Sequence, residues 1–427
     1  MTGRGPFGSQ EGNPEGMTKN PDQTPLVIVG GGAAGLMGAC YAGELGVPTL
    51  LIERKHRLGS KLLMCGNGRC NLTSRIPTAR MLEDFGAPLT TFLRPALDDF
   101  GPARLMQWFE SHGLPLMQTS DGKVFPRSER APDVVHCFQD ELRRLGVATC
   151  MQAPVEGLEV VAGGFRVRTS AFSVDARHVL VTTGGVSYPK TGSVGDGQRL
   201  ASQLGLRVQP FRPGLAGIDW EGDWGHRHVG VPFKQACVRA FDGQTLLGEE
   251  RGLLECERWG LGGGCISNAT RLLSRANATH PALEICSAPG AKPFRIDNVR
   301  IRPLKEAMVT VGGVDLGEVS DKTMESHRVP GLFFAGEVLD VDGPTGGYNL
   351  TAAFATARLA VREVARRMGT GTEQQQTGGH DGNVHSRRHL GTPGRNPRHA
   401  SGAIHGPGGR SGAMPALSAR VPRKRGA

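Results

Sequence analysis

No apolar run in the 427-residue sequence approaches the ~18 residues that a membrane span needs. Residues 1–24, rich in Gly, Pro, Gln and Asn, lack the basic and apolar regions of a signal peptide. Neither export nor membrane insertion is indicated. The nine cysteines are odd in number, scattered and never paired as Cys-x-x-Cys, so neither a disulfide framework nor a zinc site is expected. A reducing compartment follows, and the expected location is cytoplasmic. Charge is also scarce where it would matter. The net charge is +10, but residues 370–427 hold nine Arg and Lys against Glu373 and Asp381, a net of +7 that leaves only +3 for residues 1–369. The folded part therefore gives no case for nucleic-acid binding.

What is present is organised around Pro25-Leu-Val-Ile-Val-Gly30-Gly-Gly32-Ala-Ala34-Gly35, an apolar run that stops in glycines and passes into a helical pattern at Leu36–Leu45. This is the Gly-x-Gly-x-x-Gly dinucleotide fingerprint in its strand–turn–helix setting. Gly30 permits the turn, Gly32 lets the backbone approach a pyrophosphate, and Gly35 lets the helix pack on the strand. Free N–H groups and the positive end of the helix then face the phosphates. A second apolar run, 47–52, ends in Glu53, close to the ~20-residue spacing expected of the acid that binds a ribose hydroxyl.

Along the chain, 1–24 reads as a disordered leader in which Met17 is an equal candidate start. A glycine-rich loop occupies 58–73, helices are expected over 80–115 and 131–145, and short strands alternate from 148 to 175. The run His178–Gly185 returns to the unbroken apolar pattern of a buried parallel strand. Segment 210–308 changes character to short apolar pieces split by Gly, Pro and charge. The reading is an α/β protein: a discontinuous Rossmann-like domain over 25–209 and 309–369, a mostly β domain inserted at 210–308, and a disordered basic tail at 370–427.

The fingerprint, the 58–73 loop, Val179–Gly197, Val309–Val314, Thr323–Ser326 and Gly331–Leu350 occur in that order. Together they resemble the BaiN/YhiN-like FAD-binding flavoproteins, a family that includes aminoacetone-oxidase-type enzymes, over roughly residues 25–368. The resemblance implies non-covalent FAD, held by Gly30, Gly32, Ala34, Gly35, Glu53 and Arg54 at the AMP end. Further along, it implies Lys61, Asn67, Gly68, Cys70 and Asn71 from the loop, and Thr183 and Gly184 beneath the cofactor. Gly336, Glu337, Gly347, Asn349 and Leu350 complete the set. Val155 resembles the position whose backbone pairs with adenine; read alone, it is equally an edge-strand core residue. Lys61 and Arg69 could neutralise pyrophosphate, Glu337 could accept from ribityl hydroxyls, and Asp196 reads as the cap of a helix beginning at Gly197. Two departures from the family are the short middle segment and Gly262 in place of a serine in its Gly-Leu-x-Gly stretch.

The expected chemistry is FAD-dependent oxidation, in which the flavin takes a hydride from a small-molecule substrate, an amine or a carbon–carbon bond next to a carbonyl. The alternatives are a flavin-dependent reductase of an activated double bond, a flavin-binding protein without turnover, and a disulfide reductase using Cys65 and Cys70. The last is disfavoured because Gly260-Leu-Gly-Gly-Gly264 follows Arg258-Trp259 rather than a strand, and no His lies between His327 and Gly369. No catalytic residue is singled out and no metal is expected: His112, His136, His178 and His327 lack ligand spacing, and His226-Arg-His228 reads as a loop.

Overall fold

The computed structural model describes residues 25–370. The leader, Met17 and the chain from 371 onward lie outside the described residues. The central sheet has five parallel strands in the order Leu332–Phe334, His178–Val181, Leu26–Val29, Thr49–Ile52, Ala148–Cys150. Leu26–Val29 and His178–Val181 are buried at every position, which is why both read as unbroken apolar runs. The helix Ala33–Glu44 packs against Tyr348–Met368 and Ala131–Leu145. Small side chains let these helices approach: Ala39, Ala42, Ala355, Ala357 and Ala360 are all fully buried. Phe109, Phe138 and Phe354 close the helical layer with ring centroids 5.4–5.8 Å apart.

Two antiparallel three-stranded sheets flank this core, one formed by Val155–Val161, Gly164–Thr169 and Ser173–Ala176, the other by Thr73–Ser74, Lys123–Pro126 and Leu116–Gln118. The segment after residue 214 builds a separate seven-stranded antiparallel sheet around a second hydrophobic core that includes Ile218, Val238, Leu254, Ile266 and Leu283. One helix, Gly264–Arg275, covers it. Sequence periodicity gave no sign of this helix, because its buried positions include Ser267, Thr270, Arg271 and Ser274. Thr270, Ser274 and Arg271 each have a structural use. Thr270 donates to Ala216 O (2.8 Å) and Ser274 to Pro213 O (2.6 Å).

The two cores are joined by an antiparallel ribbon, Val208–Gly214 with Val309–Val314, and by buried charge. Arg271 donates to the Asp342 carboxylate (2.6 Å), Asp342 O (2.9 Å) and Phe85 O (3.1 Å), with side chains 6 % and 0 % exposed. Arg275 adds a bond to Asp340 (2.9 Å) and a contact to Asp342. Burial lowers the Arg271 pKa to about 10, so the guanidinium stays charged at neutral pH. Among the described residues no helix is long and apolar enough to cross a membrane.

Candidate cofactor site

A cleft runs along the carboxyl ends of the central strands, the place where open α/β sheets take ligands. Its glycines do different work. A Cβ on Gly35 would lie 1.8 Å from Gly30 O, so this residue sets how closely the helix meets the turn. At Gly32 an added Cβ would meet nothing within 4 Å, and the residue lines the cleft. The helix it caps has no side-chain cap and no acid in its first turn. An open backbone at Gly32 beside helix N–H groups that no side chain caps fits a pyrophosphate. Thr182 fixes the turn by donating to Val29 O (3.0 Å) and Gly30 O (2.8 Å).

Glu53 is 8 % exposed. Its carboxylate accepts from Gly31 N–H (2.6 Å) and Lys55 N–H (2.7 Å). Burial raises its pKa, and those N–H groups oppose the rise. Arg54 is turned onto Asp196. This corrects the reading of Asp196 as a cap: the helix begins at Asp196, its N-cap is Gly195, and no side chain caps it. Asp196 lines the cleft instead.

Deeper in, Glu337 accepts from Thr310 N–H (2.7 Å), Ser187 Oγ (3.2 Å) and Lys61 Nζ (2.6 Å). Lys61 also reaches Ser187 Oγ (2.6 Å). This four-residue junction ties the 58–73 loop, the turn after His178–Val181 and the Val309–Val314 strand to one carboxylate. Sequence reasoning missed Ser187 and Thr310, although both sit inside motifs it had marked. At the far end, Gly347 caps Tyr348–Met368 without a side-chain partner. The Asn349 side chain folds the preceding turn, accepting from Gly343 N–H (2.8 Å) and donating to Gly343 O (3.0 Å).

Of the residues expected to hold cofactor, the cleft is lined by Gly30, Gly32, Ala34, Glu53, Arg54, Lys61, Val155, Thr183, Gly184, Gly336, Glu337, Asn349 and Leu350. Gly35, Asn67, Gly68, Cys70, Asn71 and Gly347 are not among the lining residues. Cys70 is fully buried, and Gly68 O accepts from Ala131 N–H. With its amide oriented to satisfy both ends, Asn71 donates to Thr73 O and Val124 O and accepts from Gly347 N–H. Arg69 lies over the Phe125 ring and pairs with Glu129, away from the cleft lining. Met308, Val309 and Val341, none of them among the expected cofactor residues, add apolar wall.

Cys65 lines the cleft and Cys70 does not. Burial pushes the Cys65 thiol up to about 11 and that of Cys70 well above its usual value. Both stay protonated at neutral pH, the opposite of what a thiolate-based disulfide reductase needs. Away from the cleft, Glu44, His112 and Glu141 bring one ligand atom each within 4.8 Å of one another, a grouping that their sequence spacing hides. Arg144 forks onto Glu141 (2.5 and 2.8 Å), and the imidazole stacks on Trp108 at 4.1 Å.

The Rossmann-domain model of the HI0933-like proteins matches residues 24–363. The chain belongs to the HI0933-like family. Two relatives align with nearly their whole length. The 3-dehydro-bile acid delta(4,6)-reductase of Clostridium scindens is 28 % identical over 80 % of this chain and 98 % of its own. The ribosomal RNA dihydrouridine synthase of Escherichia coli is 28 % identical over 79 % and 97 %. Among solved structures, the fold is similar to a variant FrdA chain of E. coli quinol fumarate reductase (TM-score 0.51, 16 % identity, 83 % of this chain and 72 % of that one). It is also similar to the 3-ketosteroid delta1-dehydrogenase of Sterolibacterium denitrificans (TM-score 0.50, 12 % identity, 80 % and 99 %). This HI0933-like chain is an oxidoreductase and a flavoprotein with a Rossmann-type domain.

Proposed function

We propose that this HI0933-like protein is an FAD-dependent reductase of a carbon–carbon double bond conjugated to a carbonyl. The observation that carries the reading is chemical. The two relatives are named for a steroid-like and a nucleic-acid substrate, yet both names describe saturation of such a bond. The direction is thus the reverse of the oxidation expected from sequence. FAD is favoured over a shorter flavin because the lining runs from Gly32 and Glu53, suited to an AMP moiety, to Asn349 and Leu350.

When bound, FAD supplies two-electron hydride chemistry. In this reading Gly32 and the helix behind it take the pyrophosphate, and Glu53 takes ribose hydroxyls with the lone pairs that Gly31 and Lys55 leave free. Glu337 and Lys61 hold the middle of the cleft closed to bulk water, and Met308, Val309 and Leu350 give the ring end an apolar wall. The double-bond carbon next to the carbonyl must gain a proton while the other gains the hydride.

The test starts with the absorbance spectrum and acid release of the chromophore, where FAD is expected. Anaerobically reduced protein is then mixed with a 4,6-dien-3-one steroid or a uridine-containing RNA fragment. Flavin reoxidation with a product two hydrogens heavier is the expected result. Reoxidation by oxygen alone, with neither acceptor consumed and an amine reducing the flavin, would favour the oxidase direction and overturn the proposal.

A further inference from the structure

Nine cysteines spread through the sequence suggest no pairing, but the inserted sheet makes one. Cys237 on Pro232–Asp242 stands directly opposite Cys286 on Pro281–Cys286. Opposed residues of an antiparallel pair point to the same face with Cα atoms about 4.5–5.5 Å apart. A disulfide spans Cα separations of roughly 4.4–6.8 Å. Both thiols are free and partly exposed, and both open on one surface cavity, rimmed by Arg239, Arg251, Glu284 and Pro289. Neither lines the cofactor cleft.

The other closely placed thiols differ. Cys265, which also lies near Cys237, is buried and donates to Leu253 O (3.0 Å), and Cys70, beside Cys65, is buried too. Cys40 and Cys137 are buried between helices, and each donates to a backbone carbonyl, Phe138 O and His112 O. An oxidant has no route to them. Cys286, by contrast, donates to Ala288 O (3.0 Å) and Ala291 O (3.2 Å) in the turn at the rim of the cavity.

We propose that Cys237 and Cys286 are a redox modification site, closing to a reversible cross-strand disulfide when the protein meets hydrogen peroxide. One thiolate attacks a peroxide oxygen, the O–O bond breaks, and the sulfur becomes a sulfenic acid as the first water leaves. The second thiol attacks that sulfur, the S–O bond breaks, and a second water leaves. Two thiols lose two electrons and two protons; one peroxide is reduced to two waters. A small dithiol returns the pair to thiols. Directly opposed strand positions bring Cβ atoms about as far apart as a disulfide tolerates, so the bond is strained and readily reduced. Once closed, it ties together the two strands on either side of the segment carrying Gly264–Arg275, the helix that anchors this domain to Asp340 and Asp342.

The test treats the full-length, flavin-loaded protein with peroxide under native conditions, alkylates remaining thiols and maps peptides by mass spectrometry. A 237–286 linkage two hydrogens lighter than the free pair is expected. It should be reversed by dithiothreitol and absent in C237S and C286S, each of which retains the flavin spectrum. The proposal is overturned if both thiols remain alkylatable after treatment, if either is driven to sulfinic acid without the linkage forming, or if either links elsewhere.

Discussion

Gly32 and Gly35 are three residues apart in one motif, yet the structure gives them opposite sensitivities. Gly35→Ala drives a methyl group into a backbone oxygen, and a strain of about 3 kcal/mol is expected, read as a lower urea midpoint. Gly32→Ala places its methyl in open space with an ordinary extended backbone (φ −82°, ψ −165°). With flavin removed from both, that variant should unfold at the same urea concentration as the parent. Its FAD dissociation constant should rise at least about tenfold, or roughly 1.4 kcal/mol. Equal flavin affinity in parent and variant would remove Gly32 from the cofactor site.

His178 carries a pH dependence of its own. Burial, aided by Arg367 and Arg177, lowers its pKa from 6.5 to about 4, and its Nδ1 has no hydrogen-bond partner. The fold thus prefers the neutral ring, and the unfolded chain binds the extra proton between about pH 6.5 and 4. Stability from this residue is full above pH 6.5 and is lost as pH falls through that window. Between pH 7 and 5 the loss should be about 2 kcal/mol. His178→Phe, in contact with Phe333 (5.9 Å), should flatten that part of a pH series of urea unfolding curves.

Among elements, the helix Gly264–Arg275 depends most on context. Arg271→Ala leaves the fully buried Asp342 carboxylate with Arg275 as its remaining charged partner and strands the Phe85 and Asp342 carbonyls, so it should destabilise by about 3 kcal/mol. The double change Arg271→Met with Asp342→Leu should cost less than Arg271→Ala, because no orphaned charge remains. Calorimetry of the two variants checks the order.

The same helix marks where the sequence stops being readable. Parallel strands were legible because burial on both faces leaves an uninterrupted apolar run, as in Leu26–Val29 and His178–Val181. The fingerprint glycines and Glu53 were legible because a local turn dictates them. Gly264–Arg275 was not, since its inward face is half polar and is satisfied by Ala216 O, Pro213 O and Asp342, groups remote in sequence. The 58–73 loop shows a second form of this. Its Gly68, Cys70 and Asn71 carry a family pattern, but only tertiary packing shows that Gly68 O meets Ala131 N–H, Cys70 is fully buried and Asn71 bonds Thr73, Val124 and Gly347. Arg54 and Asp196, 142 residues apart, find each other for the same reason.

At the scale of the molecule, the cleft borrows its walls from both halves of the nucleotide domain and from Met308 at the edge of the insertion. A ligand that binds only the folded chain stabilises it by about 2.7 kcal/mol at a hundredfold excess over its dissociation constant. Stripping the flavin should therefore lower Tm, and adding FAD should restore it in a concentration-dependent way. Riboflavin, which cannot occupy the Gly32 cradle, should restore much less. Differential scanning fluorimetry across a titration of each makes the comparison.

The junction at Glu337 also bears on how the protein is made. Lys61 emerges from the ribosome some 276 residues before its carboxylate partner, and the edge strand Leu332–Phe334 arrives only after the inserted sheet has been synthesised. A nascent chain halted at residue 330 owns Gly32 and Glu53 but lacks the other wall of its cleft. Such a chain is expected to fold the insertion first and to capture no flavin. Cofactor loading is then expected only once Glu337, Asn349 and Leu350 have been made, and cells short of flavin are expected to accumulate a finished chain whose Glu337 junction is formed but whose cradle at Gly32 lacks its ligand.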